Sequence, residues 1–177
     1  MALSSCAVIT GYTQDCRDEI GGIKTVALVE ISAKNTLTYA SGAVTAFTLN
    51  TGKKMYEYAL EQATATSSDD SKPNAANGSF YYEHKLNFII PKRSASFSYY
   101  LKNLAQNDLM AVIKTNHETP QYWLLGALNG LKMQDSTASF GTALADLNGY
   151  NLNFMANEPI PALQVSAAIY AALIVAA

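Results

Sequence analysis

The sequence predicts a mainly β, α+β fold: an antiparallel sandwich or barrel with one flanking helix. Three observations carry that prediction. Apolar and polar residues alternate with period two around Tyr56–Leu60, Phe80–Ile90 and Tyr150–Ala156. β-branched runs bounded by turn residues recur, the first being IKTVALVEI from Ile23 to Ile31. Apolar residues at helical spacing stand out once, at Phe97, Tyr100, Leu101 and Leu104.

The elements follow in order. Residues 1–22 read as a turn-rich N-terminal arm that closes on Gly21-Gly22, a pair suited to a tight turn ahead of a strand. Ile23–Ile31 is the first strand. Residues 33–42 read as polar and turn-like, 44–49 as a short strand, and Thr51-Gly52 as a turn.

Residues 54–90 are expected to form one long antiparallel hairpin. Its aromatic face would carry Tyr56, Tyr58, Phe80, Tyr82 and His84, and its charged face Glu57, Glu61 and Glu83. Between the two arms lies TATSSDDSKPNAANG, residues 64–78. It holds no large apolar residue and includes Pro73 and Gly78, so it is expected to be a protruding loop without regular structure.

Pro91 stops the second arm. Ser94 or Ser96 is placed to cap a helix that runs to about Asn107. LMAVIK from Leu109 reads as a strand, Thr115–Pro120 as a turn, and Tyr122–Leu128 as a buried strand that takes Trp123 into the core. Asn129-Gly130 is a hairpin-turn signal leading to a return strand over Leu131–Ser139. Residues 141–149 read as a loop, and Tyr150–Ala156 as a further strand. Pro159 and Pro161 precede an apolar segment over 159–177. About eight strands and one helix make a single domain over 1–177.

Composition narrows the function. A chain of 177 residues and 19.0 kDa is one domain's worth. Charged residues make up 15%, against about 25% in average chains. Twelve Lys and Arg against fourteen Asp and Glu exclude a protein held to nucleic acid by bulk positive charge. The 49% hydrophobic content excludes disorder throughout. Cys6 and Cys16 allow at most one bridge, no CxxC is present, and free thiols are the expectation. No basic residue precedes Arg17, so no secretory signal is expected. The apolar run 167–177 is shorter than the roughly 20 residues of a bilayer span. A buried terminal element and no membrane partner are expected.

No catalytic constellation emerges. His84 reads as a core or interface histidine and His117 as a turn residue beside Glu118. Neither has a second ligand at metal spacing, so no metal and no cofactor are expected. Asp15, Asp18 and Glu19 form one acidic cluster and Asp69-Asp70 another, without a calcium-loop pattern. Phosphate-binding loops and a nucleophile elbow are missing from the sequence. Tyr56, Tyr58, Phe80 and Tyr82 would suit base stacking, but Glu57, Glu61 and Glu83 flank them where a basic groove would be needed. Eleven tyrosines and few charges suit a surface that meets other copies of the chain.

Two stretches carry a resemblance. One is Cys16-Arg17-Asp18-Glu19-Ile20-Gly21-Gly22-Ile23-Lys24 running into TVALVEI. The other is Ser139-Phe140-Gly141, then Ala145-Asp146-Leu147-Asn148-Gly149-Tyr150-Asn151-Leu152-Asn153-Phe154, then Pro159 to Val165. Both resemble stretches of small tail structural proteins of tailed bacteriophages, the crAss-like phages of Bacteroides among them. They lie at the two ends of the chain; the middle matches in the order of its elements.

The resemblance implies a tail-tube-like fold and no enzymatic activity. Copies would close into a ring of the tail tube or head–tail connector, touch adjacent tail or connector proteins, and let double-stranded DNA pass through the lumen. The protein would reside in the virion tail after assembly in the host cytoplasm. On this reading Asp69, Asp70, Lys72, Pro73 and Asn74 of the 64–78 loop would contact the next ring, and Glu57, Glu61 and Glu83 would face the lumen. The alternative of another class is a β-sandwich module that recognises a glycan or cell surface through Tyr and Trp123. A small hydrolase would need His84 or His117 brought to an acid or nucleophile, and no spacing supports it.

Overall fold

A computed structural model describes residues 11–13 and 20–175. Cys6, Cys16 and the 16–19 part of the first resembling stretch lie outside the described residues. In chain order come β1 (Ile23–Glu30), a single 3-10 turn (Ile31–Ala33), β2 (Lys34–Ala40), β3 (Ala43–Leu49), β4 (Met55–Ala59), β5 (Ala65–Asn74) and β6 (Ser79–Pro91). Helix α1 (Ala95–Gln106) follows, then β7 (Leu109–Thr115), β8 (Tyr122–Leu125), β9 (Lys132–Ser139) and β10 (Gly149–Glu158). β11 (Leu163–Val165), α2 (Ala167–Leu173) and β12 (Ile174–Val175) end the described chain. The fold is mainly β with two helices, and its strands form two sheets.

One sheet has eight strands in the order β12-β4-β1-β7-β8-β11-β3-β2, the other four in the order β5-β6-β10-β9. They stack as a sandwich. Val26 and Leu28 of β1, Ala111 and Ile113 of β7 and Leu125 of β8 meet Leu86 and Phe88 of β6 and Leu152 and Phe154 of β10. The rings of Phe88 and Phe154 stack at 5.8 Å. α1 continues the four-stranded layer: Phe97, Leu101 and Leu104 pack on the same cluster. Its cap is Ser94, whose hydroxyl accepts from the Phe97 N–H at 3.1 Å.

The opposite face of the eight-stranded sheet has its own core. Ala27, Val29, Met110 and Val112 share a cluster with Val44 and Phe47 of β3 and with Tyr170 and Leu173 of α2. Strands from both halves of the sheet thus pack against one side of α2, whose Ala167, Ala168, Ala171 and Ala172 are exposed, and alternate residues of β1 and β7 are buried on both faces. That explains why IKTVALVEI and LMAVIK read as continuous apolar runs.

Several expectations need correction. Residues 64–78 do not form an irregular loop. Residues 65–74 are β5, the edge strand of the smaller sheet, paired with β6 from Ala65↔Phe88 to Asn74↔Ser79. Only residues 75–78 turn, with the Gly78 N–H donating to the Asn74 carbonyl at 2.9 Å. β4 and β6 do not pair: β4 joins β1 and β12 in the larger sheet. Residues 34–40 are a strand, closed onto β3 by Ser41 and Gly42, both with positive φ as a type I′ turn requires. Asn129-Gly130 is not a hairpin turn, because residues 126–131 carry the chain from β8 across to β9 in the other sheet. The terminal apolar segment contributes a second helix. Its buried Tyr170 and Leu173 agree with the expectation of a buried element.

Candidate functional site

Parity along β5, β6 and β10 divides the four-stranded sheet into two chemically distinct faces. Towards the core point His84, Leu86 and Phe88 of β6, with Ala156, Phe154 and Leu152 opposite them on β10. Asp69 of β5 stands opposite His84. Glu158 continues the inner parity of β10, two residues beyond Ala156.

This places three ionisable groups at one end of the sandwich. His84 is 0% and Glu158 1% exposed. Glu158 Oε1 accepts from the backbone N–H groups of Leu128 (3.2 Å), Asn129 (2.9 Å) and Gly130 (3.3 Å), so the carboxylate holds the β8–β9 crossing in shape. His84 Nδ1 accepts from the Gly126 N–H at 3.3 Å, leaving Nε2 as the protonated nitrogen, 3.4 Å from Asp69 Oδ1. Asp69 Oδ2 accepts from the Ala162 N–H at 2.8 Å, pinning the edge strand to the segment before β11. Burial pushes the His84 pKa down, and the charges of Asp69 and Glu158 oppose that shift. The His84 Nδ1 is engaged and its Nε2 faces Asp69, so the ring has no nucleophile to activate. The cluster works as a clasp between three chain segments.

The outer face is polar. β5 contributes Thr66, Ser68, Asp70 and Lys72; β6 contributes Tyr81, Glu83, Lys85 and Asn87; β10 contributes Asn151, Asn153, Met155 and Asn157; β9 contributes Lys132, Asp135 and Thr137. Lys85 Nζ lies 2.9 Å from Asp70 Oδ2 and 2.7 Å from Glu83 Oε2, and Lys72 Nζ lies 3.4 Å from Glu83 Oε2. Hydrogen bonding to Lys85 holds the Asp70 and Glu83 carboxyls below the usual carboxylate range, and both raise the pKa of Lys85. An amide ladder crosses the centre: the Asn87 amide donates to Asn151 (2.9 Å) and Asn153, and the Asn153 amide donates to Asp135. Three carboxylates stand against three lysines on this face; Lys72 and Lys85 are engaged by its carboxylates, and Lys132, opposite Met155, lies 3.8 Å from Asp108 Oδ1.

The three glutamates expected to share a lumen-facing surface are separated, because β4 and β6 belong to different sheets. Only Glu83 lies on the polar face just described. Glu57 of β4 accepts the Tyr170 hydroxyl at 2.7 Å on the α2 side of the larger sheet. Glu61 sits exposed in the β4–β5 turn, its carbonyl accepting from Thr64. Asp69, Asp70, Lys72, Pro73 and Asn74, expected on a protruding loop, all lie on edge strand β5. Pro73 there costs no ladder bond if its nitrogen side faces out.

Trp123 is half-buried, not enclosed. With Ser68, Asp69, Leu125, Ala162 and Gln164 it lines a cavity of about 540 Å3 beneath β5. His117 is a half-buried turn residue whose Nδ1 accepts from the Thr119 N–H. Among the described residues no group of three or more His, Cys, Asp and Glu side chains is placed to hold a metal ion. No described helix is long and apolar enough to cross a membrane.

Glu158 escaped the sequence reading. The signal was available in its parity with Tyr150, Leu152, Phe154 and Ala156, which assigns it to the core face. No family model, curated protein or solved structure matches this chain.

Proposed function

We propose that the chain is a non-enzymatic subunit of a homo-oligomeric ring, in the tail tube or head–tail connector of a phage, through which double-stranded DNA passes. The observation that carries this reading is the outer face of the four-stranded sheet. A wall that lets DNA slide must not neutralise its phosphates, since each such contact binds and releases counterions. Lys72 and Lys85 are both paired with carboxylates of the same face, and Lys132 at its β9 edge lies 3.8 Å from Asp108. The remainder is dominated by amides and hydroxyls. Glu83 is the one member of the expected lumen set that this reading retains.

The edges support assembly. β2, β5 and β9 end their sheets with seven, ten and eight residues and are mostly exposed. Long open edges invite pairing, and closure into a ring covers them. Asp70, Lys72 and Asn74 of β5 become candidates for contact with a neighbouring subunit or an adjacent tail protein. The resemblance described above supplies the virion tail as location.

Light scattering of the purified chain over a concentration series, with negative-stain imaging, tests the reading. Rings with a central hole are expected. A monomer at every concentration would overturn it.

A second reading is favoured by one observation, the half-buried Trp123 beside Asp69, Ser68 and Gln164. An aromatic face next to polar groups suits a sugar ring. Trp123 is the chain's single tryptophan, so quenching of its fluorescence by a panel of oligosaccharides reports directly on that cavity.

A further inference from the structure

The cavity beneath β5 carries a single charge. Its floor is a row across three strands of the larger sheet, with Ile113 opposite Trp123 and Trp123 opposite Gln164. Residues directly opposite one another in a sheet share a face, so all three look into the space between the sheets. Ser67 and Asp69 point down from β5 to form the roof. Ser41 and Ser68 add hydroxyls at the rim. Among the described residues Asp69 is the one charged group that lines the cavity, and no Lys, Arg or His does.

The Asp69 carboxylate has no cation beside it. Oδ2 accepts from the Ala162 N–H at 2.8 Å. Oδ1 faces His84 Nε2 at 3.4 Å, but that nitrogen makes no hydrogen bond among the described residues. His84 is 0% exposed, and burial disfavours its charged form. The ring therefore meets Asp69 as a neutral group. The lysines of the same strand pair, Lys72 and Lys85, project from the opposite face and meet Asp70 and Glu83 there. The Asp69 side chain is 27% exposed, largely withdrawn from water. A carboxylate so placed gains most from a charged hydrogen-bond donor. It has about four lone-pair sites, so the Ala162 bond leaves room for one.

Size and lining narrow the donor. At about 540 Å3 the cavity falls within the range of about 300–1,000 Å3 that takes small organic ligands. The Trp123 indole offers a flat apolar surface, and the serine hydroxyls and the Gln164 amide offer partners for ligand hydroxyls. We infer that this cavity takes an amino sugar with a free ammonium group, its ring against Trp123 and its ammonium on Asp69 Oδ1. The inference rests on the reading of the cavity as a glycan site and names the kind of sugar. An acidic sugar is refused, since it would bring a second negative charge to a site without a cation.

Binding is read from the fluorescence of Trp123 in the full chain. The probes are three disaccharides of the same linkage: that of glucosamine, that of N-acetylglucosamine, and cellobiose. At pH 6, where the free amines are charged, the glucosamine disaccharide should bind roughly tenfold more tightly than the other two, the gain of a charge-assisted hydrogen bond. Asp69→Asn should bring all three within about twofold of each other. Gln164→Arg leaves the Asp69–Ala162 bond in place and brings a guanidinium to the same cavity, so it should remove the preference too. Thermal melts check that both variants fold. Equal binding of the three probes to wild type, or a preference that persists in Asp69→Asn, overturns this inference and leaves the glycan reading standing. So does a panel in which only neutral or acidic oligosaccharides alter the fluorescence. If no oligosaccharide alters it, both fall.

Discussion

Nε2 of His84 lies 3.4 Å from Oδ1 of Asp69 across the β5–β6 pair, and the Asp69 carboxylate also holds the Ala162 backbone. An edge strand with almost no apolar side chains is thus fastened at mid-length through Asp69, beside a buried imidazole. Burial pushes the His84 pKa below its ordinary value. The unfolded chain therefore binds the proton more readily than the folded one, and folding stability rises with pH through that window. Stability should be full above about pH 6.5 and should fall as pH drops towards the lowered folded pKa. Urea melts at pH 7.5 and pH 5 should show the loss in wild type, and His84→Gln should flatten it. Asp70, Glu83 and Asp146 have lowered values, so their contribution is present at neutral pH and is lost only at more acid pH. An equal slope in the variant would mean that His84 is not the group responsible.

Glu158 supports the neighbouring crossing through one oxygen and three backbone N–H groups. Glu158→Ala would remove the acceptor of all three, of which Gly130 is buried and Leu128 and Asn129 are exposed. A buried unsatisfied group costs about 1–3 kcal/mol, so a loss of about that size is expected from the Gly130 N–H. Glu158→Gln keeps an acceptor and should lose less than half as much. Denaturant midpoints at constant slope check both values. Equal losses would point to the charge, not the acceptor, as the feature that matters.

Gly149 opens β10 where the chain passes β6 too closely for a side chain. A Cβ there would lie 2.3 Å from the Ile90 carbonyl oxygen and 3.0 Å from Pro91 Cα. Both are backbone atoms and cannot rotate away. Gly149→Ala should cost about 1–3 kcal/mol, whereas Gly52→Ala meets no atom within 4 Å and should be limited to the strain of its positive φ. A calorimetric comparison of the two separates crowding from backbone strain.

The legible parts of the fold are those whose side chains bury something. Period two in β6 and β10, the Ser94 cap and the apolar face of α1 all reappear in the structure because each reflects contact with the core. β5 was illegible for the converse reason. Its inward positions are Ala65, Ser67, Asp69, Ser71 and Pro73, small or polar residues that bury little. Its stability comes from backbone pairing and from charged neighbours on β6 that sequence order does not reveal. The pairing of β4 was also hidden, since alternation reports which face a residue occupies and not which strand lies beside it. Hence Glu57 and Glu83, alike in sequence pattern, sit on different sheets.

The outer face of the four-stranded sheet offers the most direct test of passage without capture. It carries Asp70, Glu83 and Asp135 against Lys72, Lys85 and Lys132, a balance of three positive and three negative charges. Asn151 and Asn157 project from this face, so Asn151→Lys with Asn157→Lys would change its balance from 0 to +2; Asn157 stands opposite Glu83, which Lys72 and Lys85 already engage. Wild type should show no retention of duplex DNA in a gel-shift assay at low salt. The double variant should retain it, with an affinity that falls steeply as salt rises, because each phosphate neutralised releases counterions. In an assembled ring the effect should multiply with the number of subunits, since the charges converge on one axis. A double variant that assembles yet leaves DNA unbound would place this face away from the channel and remove the main support for the ring reading.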